Sequence, residues 1–124
     1  MKKLLLIFVV ACAGRADAPQ PASTSVGGSS CQEGEISYYA ASLDGQRTAN
    51  GESYDQQALT AAHRTLPFGT ELDVTVGEQS VHVRVNDRGP YAKHRILDVS
   101  GKAADILALR KVGHARARVC VSPQ

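Results

Sequence analysis

The sequence predicts a small, mainly β domain in the form of a barrel with one short helix, and two observations support this. Apolar and polar residues alternate in short runs that have the length of β-strands, and turn-forming residues separate these runs. Apolar residues recur at helical spacing in only one stretch near the C-terminus. Short strands, one helix and many turns are typical of a small barrel, although the alternation alone does not specify which barrel forms.

The clearest predicted element is a hairpin. The runs 71–76 and 80–85 place leucine or valine at every second position, with a turn predicted at residues 77–79. Because one face of each run is apolar, one side of the sheet should cover a core. Further strands are predicted at 34–39, 95–99 and 117–121, and a helix is predicted at 102–109 with Ser100 as its N-cap.

The N-terminal residues have the features of an export signal. Two lysines precede an apolar run at residues 4–11, which is too short to span a bilayer. We favour a lipobox that ends at Cys12, so residues 1–11 are predicted to be a lipoprotein signal peptide and Cys12 to carry the lipid. The alternative is cleavage after Ala18 by ordinary signal peptidase, which would leave a soluble periplasmic or secreted protein.

Residues 12–30 are rich in Ala, Ser, Gly and Pro and predict a flexible, disordered tether, followed by a folded domain at 31–122. A lipid on Cys12 would attach this domain to a membrane without a spanning helix. Ala13 favours the periplasmic face of the outer membrane, by resemblance to lipoprotein sorting. Once the two signal lysines are removed, the 14 Lys and Arg fall to 12 and balance the 12 Asp and Glu, so nucleic acid is not an expected partner.

Two cysteines, Cys31 and Cys120, remain once Cys12 is lipidated or removed. An exported chain meets an oxidising compartment, in which two remaining cysteines usually pair, so a disulfide is expected. In the alternative, Cys31 lies in the tether and stays free. The sequence has no C-x-x-C or H-x-x-x-H spacing, so we do not expect a metal site.

Polar residues cluster in three segments between the predicted strands, at 48–52, 60–70 and 86–91. The strings T-A-N-G-E, L-T-A-A-H-R-T-L-P-F-G-T, V-R-V-N-D-R-G-P-Y and R-I-L-D-V-S, in this order, resemble the rare lipoprotein A (RlpA)-like double-psi β-barrels, which are septal, endolytic lytic transglycosylases. The resemblance implies a six-stranded double-psi barrel that needs no cofactor. It also implies cleavage of MurNAc-GlcNAc β-1,4 bonds in peptidoglycan, preferably in peptide-free strands, with formation of 1,6-anhydroMurNAc.

On this resemblance, the catalytic acid of the family falls on Asp87, an important histidine on His63 and a supporting glutamate on Glu52. Asp87 is expected to protonate the glycosidic oxygen and then to accept the proton of the muramoyl C6 hydroxyl. His63 is expected to hydrogen-bond to Asp87 or to the substrate. Glu52 is expected to raise or orient the proton affinity of its neighbours through its like charge. Each residue also has a structural alternative, as a turn cap for Asp87, a packed histidine for His63 and a solvated charge for Glu52.

A second set of side chains is expected to bind the glycan. Aromatic faces stack on sugar rings, and an arginine can donate to sugar hydroxyls or pair with an acid. Asp98 either faces the same groove as a second carboxylate or caps the helix near Ser100. The expected substrate-binding residues are Arg88, Tyr91, Tyr39, Asn50 and Asp98.

The chain departs from the family pattern in two places. Relatives commonly carry S-W-Y-G in the first strand, whereas residues 37–40 here read S-Y-Y-A and the chain has no tryptophan, which should weaken or shift glycan binding. Many relatives also carry a SPOR module after the barrel, and none is expected here. Two other functions stay open. One is an expansin-like wall protein that binds glycan without cleavage, and the other is a β-1,4-glycan hydrolase that uses a second carboxylate. Peptidoglycan and a membrane are the expected partners, and no protein partner is indicated.

Overall fold

The computed structural model describes residues 30–123, which form a closed barrel of six strands with one short helix, as predicted. The strands are β1 Cys31–Tyr38, β2 Thr60–Ala62, β3 Glu71–Val76, β4 Gln79–Asp87, β5 Arg95–Val99 and β6 Ala115–Val121. The helix α1 spans Gly101–Ile106, and a single 3-10 turn spans Ala41–Leu43. The predicted signal peptide, the lipidation site at Cys12 and the tether up to residue 29 lie outside the described residues.

Two parallel strand pairs give the barrel its crossed connections. The strands close in the order β1-β5-β2-β4-β3-β6, in which β1 pairs with β5 and β2 pairs with β4 in parallel, while the other four pairings are antiparallel. A parallel pair cannot be joined by a tight turn, so the chain passes through other elements before it reaches the parallel partner of a strand. The segments 39–59, from β1 to β2, and 88–94, from β4 to β5, connect strands that are not paired with each other, and they carry loops of the site described below.

The core follows the alternation in the sequence. Along β4, Val81, Val83 and Val85 are buried and His82 between them is exposed. Burying a valine or leucine fully contributes roughly 1.5–3 kcal/mol, so the repeated inward side chains stabilise the closed sheet. The other large, fully buried side chains are Ile36, Leu72, Leu97, Leu107, Leu109, Val74 and Val99.

The helix begins at its predicted cap and ends earlier than predicted. The Ser100 hydroxyl accepts a hydrogen bond from the Ala103 amide at 3.3 Å, which satisfies one of the free N–H groups at the helix start. The helix ends at Ile106 because Ala108 adopts a positive φ of 58°, which cannot continue a right-handed helix. Within residues 30–123, no helix is long and apolar enough to cross a membrane.

Strand boundaries differ from the prediction in three ways. Residues 60–62, predicted as part of a loop, form β2, and all three are buried, so they show no alternation. The strands β1 and β6 begin at Cys31 and Ala115, earlier than predicted. The hairpin turn contains two residues instead of three, because Gln79 already pairs with Val76.

A disulfide joins Cys31 to Cys120 across the antiparallel pair of β1 and β6. Cys31 is therefore the first residue of β1, and the alternative in which it lies free in the tether is wrong. The bond closes a loop with a sequence separation of 89 residues, so it connects the two ends of the folded domain.

Candidate functional site

One row of paired residues crosses four neighbouring strands and carries the acidic side chains of the site. Asp87 of β4 is level with Ala62 of β2, and Ala62 is level with Asp98 of β5. Asp98 is in turn level with Ser37 of β1. Level residues on adjacent strands project from the same face of a sheet. The small Ala62 thus separates two aspartates whose backbones lie two strand spacings apart, roughly 10 Å.

An open cleft of about 350 Å³ lies over this row. Its volume falls within the range of pockets that hold small ligands. Tyr91, at 78% exposure, stands at its edge, on the segment that leaves β4 after Gly89. Gly89 has a φ of 124°, a conformation that side-chain-bearing residues rarely adopt. The charged and aromatic side chains that line the cleft are Asp87, Asp98, Arg88, Arg95, Tyr38, Tyr39 and Tyr91.

The Asp87 carboxylate is held by three hydrogen-bond donors. Its Oδ1 accepts from the backbone amides of Ala49 at 2.8 Å and of Arg88 at 2.9 Å. Its Oδ2 accepts from the hydroxyl of Tyr39. Because all three groups donate, the carboxylate is oriented from three sides at the wall of the cleft. The alternative of a simple turn cap does not account for the Tyr39 contact, which comes from the residue that follows β1.

Tyr39 is a supporting residue more than a surface for sugar stacking. Its ring stacks on the buried ring of Tyr54, with centroids 4.4 Å apart. The Tyr54 hydroxyl is itself fixed, because it accepts a hydrogen bond from the Gly101 amide at 3.0 Å. Burial, followed by the hydrogen bond and negative charge of Asp87, raises the pKa of Tyr39 well above its usual range. The Tyr39 hydroxyl therefore stays protonated and continues to donate to Asp87.

Asp98 faces the cleft and does not cap the helix. Its Oδ1 accepts from the Ser37 hydroxyl, and that hydroxyl accepts from the Arg95 guanidinium at 2.7 Å. The helix cap is Ser100, so the capping alternative for Asp98 is wrong. The cleft therefore contains two carboxylates, Asp87 and Asp98, and both add to the raised pKa of Tyr39.

His63 does not hydrogen-bond to Asp87 through its side chain. Its Nδ1 accepts from the amides of Thr65 and Leu66, both at 3.1 Å, so Nε2 carries the proton and donates to the Gln32 side chain at 3.3 Å. Burial, with Arg88 and Arg64 nearby, lowers the pKa of His63 and keeps the ring neutral.

The His63 ring lines a different cavity, of about 230 Å³, beside Gln32 and Leu66. Only the backbone of His63 borders the aspartate, through an N–H bond to the Asp87 carbonyl at 3.2 Å. Of the two predicted contacts of the His63 side chain, the one with Asp87 is therefore wrong, and the one with the substrate stays a prediction. The reason is local, because the turn after β2 takes the histidine ring as its own hydrogen-bond acceptor.

Glu52 and Asn50 are also absent from the residues that line the cleft. Arg84 pairs with both oxygens of the Glu52 carboxylate at 3.1 and 3.2 Å, and the Asn86 side chain donates to it at 3.0 Å. These contacts, that of Asn86 first, lower the pKa of Glu52. The expected like-charge effect on Asp87 is thus replaced by an ion pair. The side-chain oxygen of Asn50 accepts from Thr48 and from the Glu52 amide, so it closes its own turn.

Arg88 lines the cleft, but its guanidinium is committed to the fold. It lies over the Phe68 ring at 4.0 Å and donates to the His63 carbonyl at 3.1 Å. Arg64 is committed in a similar way, with hydrogen bonds to the carbonyls of Pro90 at 2.6 Å and Ala92 at 2.8 Å. These two arginines hold the segment that presents Tyr91. Within residues 30–123, no group of three His, Cys, Asp or Glu side chains is placed to hold a metal ion.

Residues 31–119, most of the chain, match the family model described as lytic transglycolase. The chain belongs to this lytic transglycolase family. The family fold is the double-psi β-barrel, in agreement with the closed six-stranded sheet. A relative from Treponema pallidum (strain Nichols), named probable endolytic peptidoglycan transglycosylase RlpA, is 52% identical over 89 residues, which cover 70% of this chain and 28% of the relative. The chain spans between 26% and 41% of the length of the curated relatives that it matches.

Two solved structures share the fold of this family member at low sequence identity. An expansin from Clavibacter michiganensis has a TM-score of 0.63 at 19% identity, over 77% of this chain and 52% of the expansin. The Streptomyces papain inhibitor has a TM-score of 0.61 at 21% identity, over 75% of this chain and 96% of the inhibitor. These similarities support the barrel and carry no statement about the site.

Two residues of the site were missed in the sequence. Ser37 lies within the predicted strand 34–39 and Arg95 begins the predicted strand 95–99, and nothing in their local pattern marks either of them as a site residue. The signal that connects them with Asp98 is the register of β1 with β5, which is a property of the sheet. Of the expected site residues, Asp87, Asp98, Arg88, Tyr39 and Tyr91 line one cleft, whereas His63, Glu52 and Asn50 do not.

Proposed function

We propose that this chain is the barrel domain of an endolytic peptidoglycan lytic transglycosylase. Its substrate is the β-1,4 bond between N-acetylmuramic acid and N-acetylglucosamine in strands without stem peptides, and its product ends in a 1,6-anhydro sugar. The observation that carries the proposal is the Asp87 carboxylate, oriented by three donors at the wall of an open cleft. Membership of the lytic transglycolase family and the name of the Treponema pallidum relative support the same activity.

In this mechanism Asp87 acts twice. The protonated carboxyl first donates its proton to the glycosidic oxygen while the bond from C1 to that oxygen breaks and positive charge develops at C1. The Asp87 carboxylate then accepts the proton of the muramoyl C6 hydroxyl, whose oxygen forms a new bond to C1. The proton thus returns to Asp87, and no water is consumed. One carboxyl is sufficient because the nucleophile belongs to the substrate.

The surrounding donors determine which oxygen of Asp87 does this work. Both backbone amides, from Ala49 and Arg88, engage Oδ1. The only donor on Oδ2 among the described residues is the Tyr39 hydroxyl. A carboxylate oxygen can accept two hydrogen bonds, so Oδ2 keeps one position for the substrate. Oδ2 is therefore the oxygen that would exchange the proton, and Tyr39 is the residue that aims it.

A hydrolase is the second candidate, and Asp98 is the observation that favours it. An inverting glycosidase needs two carboxyl groups roughly 6.5–9.5 Å apart, with a water molecule between them. Asp87 and Asp98 line the same cleft, and their backbones lie two strand spacings apart. This candidate requires Asp98 as the base, yet its Oδ1 already accepts the Ser37 hydroxyl. The product distinguishes the two reactions, since hydrolysis leaves a reducing end.

The test is mass spectrometry of the products released from peptide-free glycan strands and from intact sacculi. We expect anhydro-muramoyl products, mainly from the peptide-free strands, and a loss of about 100- to 10,000-fold in rate for Asp87→Asn. Asp105→Asn is the matched control, because Asp105 is exposed on α1 and pairs with Arg110 outside the cleft. Reducing-end products, together with a rate that depends on Asp98→Asn, would select the hydrolase. Retention on sacculi with no released product would select a binding protein.

We also propose that the domain is exported and held at the cell envelope by a lipid on Cys12. The disulfide between Cys31 and Cys120 supports export, because such bonds persist in oxidising compartments. The test is metabolic labelling with a fatty-acid probe, followed by fractionation. We expect label on the unmodified protein and none on Cys12→Ser. Label-free, soluble protein that begins after Ala18 would instead show ordinary signal-peptidase cleavage.

A further inference from the structure

Arg95 is the cation of the cleft whose hydrogen-bond donors remain largely free. A guanidinium carries five N–H donors, and one of these in Arg95 reaches the Ser37 hydroxyl at 2.7 Å. Among residues 30–123, this is the only side-chain hydrogen bond of Arg95, and it forms no ion pair with an acid. Arg88, the other arginine that lines the cleft, stacks on Phe68 and donates to backbone carbonyls. Arg95 is therefore available to an anionic ligand, whereas Arg88 is committed to the fold.

Among the described residues, neither neighbouring acid forms a direct ion pair with Arg95. Glu35, which is level with it on β1, pairs with His114 at 2.6 Å. Asp98 lies three residues further along β5 and accepts the Ser37 hydroxyl, so that Ser37 stands between the arginine and the acid. Arg95 is half-buried, lines the cleft and is anchored at one guanidinium nitrogen, which limits the freedom of its side chain. A planar guanidinium held in this way suits bidentate binding of a carboxylate.

We propose that Arg95 binds the free lactyl carboxylate of N-acetylmuramic acid and so makes the cleft selective for peptide-free strands. This inference rests on the proposed function, because it concerns the same substrate and the same cleft. In a strand without a stem peptide, the lactyl group on C3 of each muramoyl residue ends in a carboxylate. In a strand that keeps its peptide, that carboxyl is consumed in an amide bond and carries no charge. An arginine with free donors therefore distinguishes the two forms of the strand chemically.

The position of Arg95 fits this role. It begins β5 and Asp98 lies further along the strand, while Asp87 lies across β2 from Asp98. An anion at Arg95 is thus kept towards the β1 side of the cleft, away from the carboxylate that must exchange a proton at the glycosidic oxygen. Asp87, on the β4 side, repels an anion from that part of the cleft. Arg95 would therefore fix the direction of the bound strand as well as its charge.

The experiment measures binding of the Asp87→Asn protein, in which cleavage is expected to be strongly reduced, to two forms of one ligand. One form is a preparation of peptide-free glycan strands, and the other is the same preparation with its lactyl carboxyls converted to methylamides. We expect about ten-fold tighter binding of the carboxylate form, the order expected of one charge-assisted hydrogen-bonded pair. Adding Arg95→Gln should abolish this preference, and Arg95→Lys should retain part of it. Adding Arg116→Gln, on the exposed face of β6, should change neither value.

The methylamide strands show whether Arg95 has only a structural role. If Arg95→Gln merely disturbed Ser37 and Asp98, binding of both ligand forms would fall together. We expect binding of the methylamide form to stay within about two-fold, since that form lacks the charge that Arg95 contacts. Equal binding of both forms by the Asp87→Asn protein, or a preference that survives Arg95→Gln, would overturn the inference. Failure of the proposed function has a different result, because the unmodified protein would then release no anhydro product while the charge preference persisted.

Discussion

Replacing Tyr39 by phenylalanine removes one hydroxyl and keeps the ring, so it isolates the hydrogen bond to Asp87. The stack on Tyr54 does not depend on that hydroxyl and should persist. A hydrogen bond to an ionised group contributes roughly 1.5–3 kcal/mol. Part of this is recovered, because Asp87 lines the open cleft and water can replace the lost donor. The activation free energy should then rise by about 1.4 to 2.7 kcal/mol, because Asp87 is less well oriented, and this corresponds to a decrease of about 10- to 100-fold in kcat.

The assay is turnover of peptide-free glycan strands, with kcat and KM determined separately. We expect kcat to fall while KM stays within about three-fold, because Tyr39 acts on the acid and does not stack on the sugar. Tyr54→Phe is the matched control. It removes the contact with the Gly101 amide and should cost about 1 kcal/mol of stability with little change in kcat. An unchanged kcat with a raised KM in Tyr39→Phe would refute the positioning role and make Tyr39 a substrate contact.

Three further predictions concern stability, each measured by urea unfolding. Replacing Cys31 and Cys120 by serine opens a loop with a sequence separation of 89 and should cost up to about 4–5 kcal/mol, so a loss below about 1 kcal/mol would contradict this. Burial lowers the pKa of His63, so the neutral ring contributes to the free energy of unfolding above the ordinary pKa of 6.5, and this contribution is lost as pH falls below 6.5. His63→Asn should remove the resulting fall in stability on the acid side. The hydrogen bond to Asp73 is the first cause that raises the pKa of His82, so the contribution of His82 to the free energy of unfolding is present below pH 6.5 and is lost as pH rises through the raised pKa. His82→Gln should flatten the fall in stability over this range, and a fall that persists in the variant would count against the contact.

The sequence predicts the strands whose two faces differ and misses the strand whose faces do not. β3 and β4 alternate because one side of the sheet covers the core and the other meets water. β2 lies between β4 and β5 with all three of its residues buried, so its short run of small residues carries no period. The first residues of β1 are exposed, and pairing with β6 and the disulfide hold them instead of an apolar face. In both cases the missing information lies in the neighbouring strands.

The same reason separates the site residues that were predicted from those that were not. Asp87 and its partner Tyr39 are 48 residues apart, and they meet only because β1, β5, β2 and β4 are neighbours in the closed sheet. His63 is close to Asp87 in the sheet, but a side chain at a turn first meets the amides two and three residues ahead, and its ring accepts both. A local acceptor and a distant acid compete for the same ring, and the local one requires no further ordering of the chain. His63→Asn keeps a side-chain acceptor for these amides and removes the titratable ring. Retained turnover in that variant would show that His63 supports the turn, whereas a loss equal to that of Asp87→Asn would show that His63 takes part in the reaction.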